Sequence, residues 1–303
     1  MSFLKERILV TGCSGFVGSH LTKKLDSYKK IGIDINNNIE ITKLYDKFYK
    51  FDLSNISDPY VLNDLKKFSG VFIHLAAARS DRESIFQYKK NNIEATTEIL
   101  KILNPTTIKF FVHISSVAAI DGRELETSGA KIIGSDDWYR HTKYEQEKII
   151  TEWCVSNNIK LLILAPSAIY TSKSRKDTNI GRLQKISKLL PIIPSIEIKK
   201  SLTNIDDLIK EIINHLEGKE TINKIPKMRL VIDNPVYTVS QHMDIIKNKK
   251  LIKIKFPFLK QTLIIISHII EFLKMENHLP LTRNRVEKLF KDTGYSGQKI
   301  YLD

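Results

Sequence analysis

Short, mostly apolar runs alternate with longer stretches in which apolar residues return every three to four positions. Runs at 8–10, 31–33, 48–51, 71–75, 110–114 and 161–164 are too short for helices and read as strands. Between them, helical periodicity covers 19–25, 59–65, 88–103 and 138–156. This alternation predicts an α/β fold with a doubly wound parallel sheet. The segment 121–137, with Gly122, Gly129 and Gly134, is predicted to be irregular. From about Tyr170 the rhythm changes. A strand end at 202–207 leads into a helix over 208–216, and 228–232 forms a late strand. Residues 260–275 form a helix with Leu263, Ile266, Ile270 and Leu273 on one face. A short helix and a polar tail occupy 284–303. The division expected is a sheet domain over 1–168 and a smaller α/β lobe over 169–303, some of whose segments return to the first domain.

The first strand runs into Gly12-Cys13-Ser14-Gly15-Phe16-Val17-Gly18 and then into the first helix. Glycines at this spacing, between a strand and a helix start, suit a dinucleotide pyrophosphate. One permits a tight turn, one a close approach of the backbone, and one close helix–strand packing. A plain glycine turn is the competing reading. The second strand ends in Asp34, 22 residues after Gly12. A carboxylate there accepts hydrogen bonds from both ribose hydroxyls and repels a 2′-phosphate, which favours NAD. A turn-capping aspartate is the alternative. Ala76-Ala77-Ala78 after the fourth strand leaves room for a ligand at the strand's C-terminal end.

Tyr139 and Lys143 are four apart and share a helix face. An ammonium beside a phenol favours the phenolate, and a tyrosine tuned that way can act as a general base. Ser115-Ser116 stands upstream at the end of the fifth strand.

Bulk properties narrow the class. Hydrophobic residues make up 42% of 303, enough to bury a core. The net charge is +14, but no long basic run concentrates it, and no nucleic-acid partner is expected. Cys13 and Cys154 are far apart, so neither a disulfide framework nor a metal site is expected, and a reducing, cytoplasmic setting fits. The first residues carry charges where a signal peptide needs an apolar run. No apolar stretch reaches the ~18 residues of a spanning helix.

With these residues in place the chain resembles the extended short-chain dehydrogenases/reductases, the NAD-dependent epimerase/dehydratase enzymes of diphosphate-linked sugars. The likeness runs from Thr11-Gly12 through Asp52-Leu53, His74-Leu75-Ala76-Ala77, Asn92 and Ser115-Ser116 to Tyr139/Lys143, then Pro166-Ser167 and 201–208. It implies that Gly12, Ser14, Gly15, Phe16, Val17 and Gly18 line the pyrophosphate, that Asp34 holds the ribose, and that Asp52 and Leu53 meet the adenine. Ala76, Ala77, Asn92, Ser115 and Pro166 also fall on the cofactor side. Lys143 would bind nicotinamide-ribose hydroxyls and tune Tyr139. Tyr139 would take the proton of a sugar hydroxyl, and Ser116 would hydrogen-bond the same oxygen. For the substrate, Arg175, Lys176 and Arg182 are candidate diphosphate contacts by charge. Arg79 and Asn179 lie in segments that resemble the polyprenyl-diphosphate branch of the family.

The reaction follows from what accompanies the serine. Sugar dehydratases of this family carry an acidic pair just after the catalytic hydroxyl residue; here Ser116 is followed by Val117-Ala118-Ala119. That leaves a 4-epimerase, whose bound NAD is recycled, or a 4-keto-sugar reductase, and Asp34 favours the first. A non-catalytic dinucleotide sensor is a third reading, against which Tyr139 and Lys143 stand. The resemblance implies a role in surface polysaccharide synthesis and a homodimer. The helix over 260–275 reads first as a core helix of the smaller lobe; its apolar face beside Lys260 and Lys274 also suits peripheral membrane association.

Overall fold

The computed structural model describes residues 2–4, 6–78, 84–129, 131–132, 134–171, 192–220, 227–247, 250, 252–272, 283–295 and 300–301. In chain order the strands are β1 Ile8–Thr11, β2 Lys30–Asp34, β3 Lys47–Lys50, β4 Gly70–His74, β5 Ile108–Ile114, β6 Leu161–Pro166, β7 Ala168–Tyr170, β8 Ile192–Pro194, β9 Lys199–Lys200, β10 Leu202–Asn204, β11 Lys227–Val231, β12 Tyr237–Thr238, β13 Ile252–Ile254 and β14 Ile300–Tyr301. The helices are α1 Phe16–Thr22, α2 Ile39–Thr42, α3 Pro59–Lys66, α4 Ile85–Tyr88, α5 Ala95–Ile102, α6 Val117–Thr127, α7 Gly134–Ser156, α8 Ile205–Leu216, α9 Val239–Lys247, α10 Leu259–Phe272 and α11 Arg283–Phe290. A π-helical turn, Lys89–Glu94, joins α4 to α5.

Two compact units form. The first comprises Met1–Ser167, Ile205–Val231 and Gly297–Asp303. Its sheet has the order β3-β2-β1-β4-β5-β6-β11-β14. The seven strands from β3 to β11 pair in parallel, and β14 closes the edge antiparallel. Every residue of β1, β2, β4 and β6 is buried. Strands covered on both faces have no solvent side to alternate with, which is why they read as continuous apolar runs. Phe72, Phe110, Phe111, Leu161 and Ile163 are fully buried at the sheet's centre. Strand order reverses between β1 and β4, and ligands of open parallel sheets bind at the carboxyl ends of the strands beside such a reversal.

The second unit comprises Ala168–Asn204 and Ile232–Ser296. It holds three two-stranded pairs, β7 with β10, β8 with β13 and β9 with β12, together with α9, α10 and α11.

The segment expected to be irregular is instead helical, forming α6 and the start of α7. Gly122 is not loop punctuation there. A Cβ at Gly122 would collide with the Arg140 carbonyl oxygen and meet Tyr144 Cβ at 3.0 Å, so the glycine lets α6 cross close against α7. Gly129, at φ +64°, sits just past the C-cap Ser128, where a left-handed residue ends a helix without strain.

Candidate active site

The turn after β1 is built from contacts only glycine allows. Gly12 has φ +70°, and a Cβ there would lie 2.7 Å from the Ala76 nitrogen. The turn leaving β1 is therefore pressed onto the backbone leaving β4, at the reversal of strand order. A Cβ on Gly18 would strike the carbonyl oxygens of Gly12 and Cys13, so α1 lies against the same turn. Gly15 caps α1 without a side-chain oxygen, so the amides of the first turn meet no capping side chain, an arrangement suited to a phosphate. Phe16 and Val17 open that helix, and the Phe16 ring meets His20 edge-on at 5.0 Å.

Asp34, at the end of β2, is nearly buried. One carboxylate oxygen accepts the Ser14 amide at 2.9 Å and the other the Asn36 amide at 2.9 Å. The same acid thus ties the glycine loop to β2. Asp52 accepts from Ser54 and pairs with Lys90 on the π-turn at 2.7 Å, while Leu53 is buried. Pro166 closes β6 and is buried.

After β4 the chain passes Ala76, Ala77 and Ala78. The Ala78 amide donates to Asn92 Oδ1 at 2.7 Å, and Asn92 Nδ2 donates to Thr142 Oγ1 at 3.0 Å. Fully buried, Asn92 staples the post-β4 loop to α7 with both ends of its amide. It sits inside the π-turn, a distortion frequent at functional sites.

Ser116 ends the β5 loop and caps α6, accepting the Ala118 amide at 3.2 Å. Its side chain is near enough to the Tyr139 phenol to act on it, and the Tyr139 ring lies 5.9 Å from that of Tyr88. Burial raises the Tyr139 pKa above its ordinary value; Ser116 works against this and Tyr88 adds to it. Lys143 is not among the groups that act on the phenol in the protein by itself. The lysine points elsewhere: Lys143 Nζ donates to Gln146 Oε1 at 2.5 Å and to the Ile114 carbonyl at 3.4 Å. Two of its three hydrogens are thereby used. Burial lowers the Lys143 pKa, and the Glu147 charge opposes the fall. Burial raises the Glu147 pKa, while Ser115, Lys143 and Arg123 oppose it.

Sequence reading missed the shell beneath these residues. Gln146 and Glu147 sit three and four positions after Lys143, and helical spacing alone brings them to its face. His74 and His113 are fully buried, with rings 5.6 Å apart. Burial first, and then the Lys143 charge, pulls His74 from 6.5 down to about 3 and moves His113 in the same direction. Arg79, Arg175, Lys176, Asn179 and Arg182 lie outside the described residues. Two groups place ligand-type atoms within 4.8 Å of one another, Glu126 with His141 and Glu145, and Glu211 with His215 and Glu220. Each already holds a cation, Lys148 in the first and Arg229 in the second.

A family model described as the NAD dependent epimerase/dehydratase family matches residues 8–208, more than half of the chain. The chain belongs to that family. As one of its members the protein is an NAD-dependent enzyme, and the glycine turn, the Asp34 carboxylate and the remaining Lys143 hydrogen fit such a dinucleotide. Among relatives, the chain is 29% identical over 241 residues to an uncharacterized UDP-glucose epimerase, YtcB, of Bacillus subtilis (72% of this chain, 76% of that protein). It is 22% identical over 233 residues to the UDP-glucose 4-epimerase of Vibrio cholerae (73% and 70%). Among solved structures, it resembles the UDP-glucuronic acid 4-epimerase of Bacillus cereus in complex with NAD. The TM-score is 0.62 and the identity 23%, covering 94% of this chain and 100% of that one.

Proposed function

We propose that this protein is a 4-epimerase of a diphosphate-linked sugar that works through a transient 4-keto intermediate. The observation that carries the reading is Ser116 acting on the Tyr139 phenol with, among the described residues, no carboxylate acting on that phenol. Val117, Ala118 and Ala119 follow the serine, and the first acid on α6, Asp121, pairs with Arg140 at 3.5 Å. Loss of water from a sugar needs an acid at that point; proton removal from a hydroxyl does not.

In this reading Tyr139 takes the proton of the sugar 4-hydroxyl and Ser116 holds the same oxygen. A dinucleotide held by the glycine turn, Asp34 and Lys143 would supply reversible hydride transfer with either face of that carbon. Tyr139 then gives the proton back. Lys143 offers its uncommitted hydrogen to the cofactor. The relatives' UDP-sugar names support a nucleotide sugar; a polyprenyl-diphosphate sugar, a role in surface polysaccharide synthesis and a homodimer belong to the reading by resemblance.

Peripheral membrane association is favoured by one further observation. The helix α10 buries Ser267 yet exposes Ile265, Ile269 and Phe272, and Phe256 and Phe258 precede it in the open beside Lys255 and Lys260. Among the described residues no helix is long and apolar enough to cross a membrane.

The experiment is direct. Nucleotide is released by heat from purified protein and identified, and the protein is then incubated with UDP-glucose and UDP-N-acetylglucosamine. Released NAD and formation of the 4-epimer without added cofactor are expected. Conversion only of a 4-keto sugar, and only with added NAD(P)H, would replace this reading with a 4-keto-sugar reductase.

A further inference from the structure

The amide of Gln146 lies fully buried among groups from three other elements, and their chemistry allows one arrangement of its hydrogens. Lysine only donates, so the Gln146 atom 2.5 Å from Lys143 Nζ is the carbonyl oxygen. The NH2 end then faces Thr96 Oγ1 at 2.8 Å, His74 Nε2 at 3.1 Å and the Ala76 carbonyl at 3.3 Å. His74 Nε2 also lies 3.0 Å from Thr96 Oγ1 and His74 Nδ1 lies 2.7 Å from Thr11 Oγ1, so the neutral ring bridges these two hydroxyls in either tautomer. Thr96 in turn donates to the Asn92 carbonyl at 2.7 Å, inside the π-turn. Polar contacts thus run from Lys143 through Gln146 to Thr96 and His74, and from His74 to Thr11 on β1.

We propose that Gln146 is the positioning residue for Lys143, holding the ammonium through its carbonyl while its NH2 end is anchored to Thr96 on α5 and to the Ala76 carbonyl after β4. This rests on the reading of Lys143 as the lysine that meets the cofactor. A purely structural glutamine would hold α7 against β4 and leave the lysine's protonation alone. A positioning one sets how readily the buried ammonium keeps its charge. The groups that face the lysine are Glu147 on its own helix, His74 on β4 and His113 on β5. Arg123 on α6 and Ser115 after β5 act on Glu147 in turn.

The test is NAD affinity against pH, by titration calorimetry on the full chain, with melting temperature measured alongside. In the unaltered protein, affinity falls as pH rises through the depressed Lys143 pKa. Gln146→Met removes the acceptor at similar length. Affinity at pH 7.5 should drop at least tenfold and the fall should move to lower pH. Gln146→Glu keeps the shape and supplies a charge that favours the ammonium, so the fall should move to higher pH. Opposite movements in the two variants are the expected result, whatever happens to melting. If both variants keep the unaltered midpoint, the proposal is wrong. Lys143→Ala separates the two ideas: if that variant binds NAD with the unaltered pH profile, the reading of Lys143 fails rather than the role of Gln146.

Discussion

At the scale of single residues, the site divides into what short spacing announces and what only folding assembles. The glycines recur three apart, Asp34 ends the next strand 22 residues after Gly12, and Tyr139/Lys143 stand at a helical period, so the chain displays them openly. Gln146, Thr96 and His74 do not show, because the amide meets partners 50 and 72 residues away. The lysine's own environment was also illegible: spacing put Lys143 on the face of Tyr139, and only the fold shows its ammonium held by Gln146. Tyr139→Phe removes the proton acceptor and leaves the dinucleotide cradle intact. Turnover should fall by about 10²–10⁴ with NAD affinity changed little; retained turnover would show that another group moves the proton. The buried imidazoles predict a response to acid. His74 and His113 bind protons readily when unfolded and resist them when folded. Their contribution is therefore complete above pH 6.5 and is lost as pH falls toward the folded value, about 3 for His74. Each gives a slope of roughly 1.4 kcal/mol per pH unit. Glu147, whose pKa is raised, runs the other way and offsets part of it. Urea unfolding should show a lower midpoint at pH 5.5 than at pH 7. A midpoint that does not move would mean that these rings are not held neutral.

Among the elements, the parallel strands were readable because burial on both faces leaves an unbroken apolar signature. The pair α6 and α7 was not. Its glycines look like loop residues, and the reason for Gly122 is another helix's backbone. Two principles disagree about Gly122→Ala. Helix propensity favours alanine by about 1 kcal/mol, whereas overpacking costs about 1–3 kcal/mol. The added carbon would meet the Arg140 carbonyl, a backbone atom that cannot swing aside, so overpacking should win. Melting should drop by several degrees. Because Arg140 adjoins Tyr139, turnover should fall more than NAD affinity does. A variant that melts higher than the parent would show the crossing to be looser than described.

For the whole molecule, the fold class was legible and the partner surface only partly so. An apolar face could be seen along the last long helix, but which side of it faces outward depends on packing. Periodicity pointed to Leu263, Ile266, Ile270 and Leu273 as one face, widened by Ile264, Ile265 and Ile269; the fold buries Ile270 and Ser267 and leaves Ile265, Ile266, Ile269 and Phe272 outside. Replacing Phe258 and Phe272 together by serine should abolish sedimentation with vesicles rich in phosphatidylserine while leaving turnover of a soluble nucleotide sugar unchanged. Sedimentation that persists would remove the bilayer from consideration. A different consequence follows from Asp34, whose carboxylate receives the Ser14 amide and, in the proposed reading, also holds the ribose. To accept a cofactor with an extra phosphate, a descendant of this chain would have to discard the acid. In doing so it would loosen the loop that any dinucleotide needs. Cofactor choice here is therefore not a dial that one substitution can turn. It is an inherited commitment, and lineages that leave it must first rebuild the loop by another route.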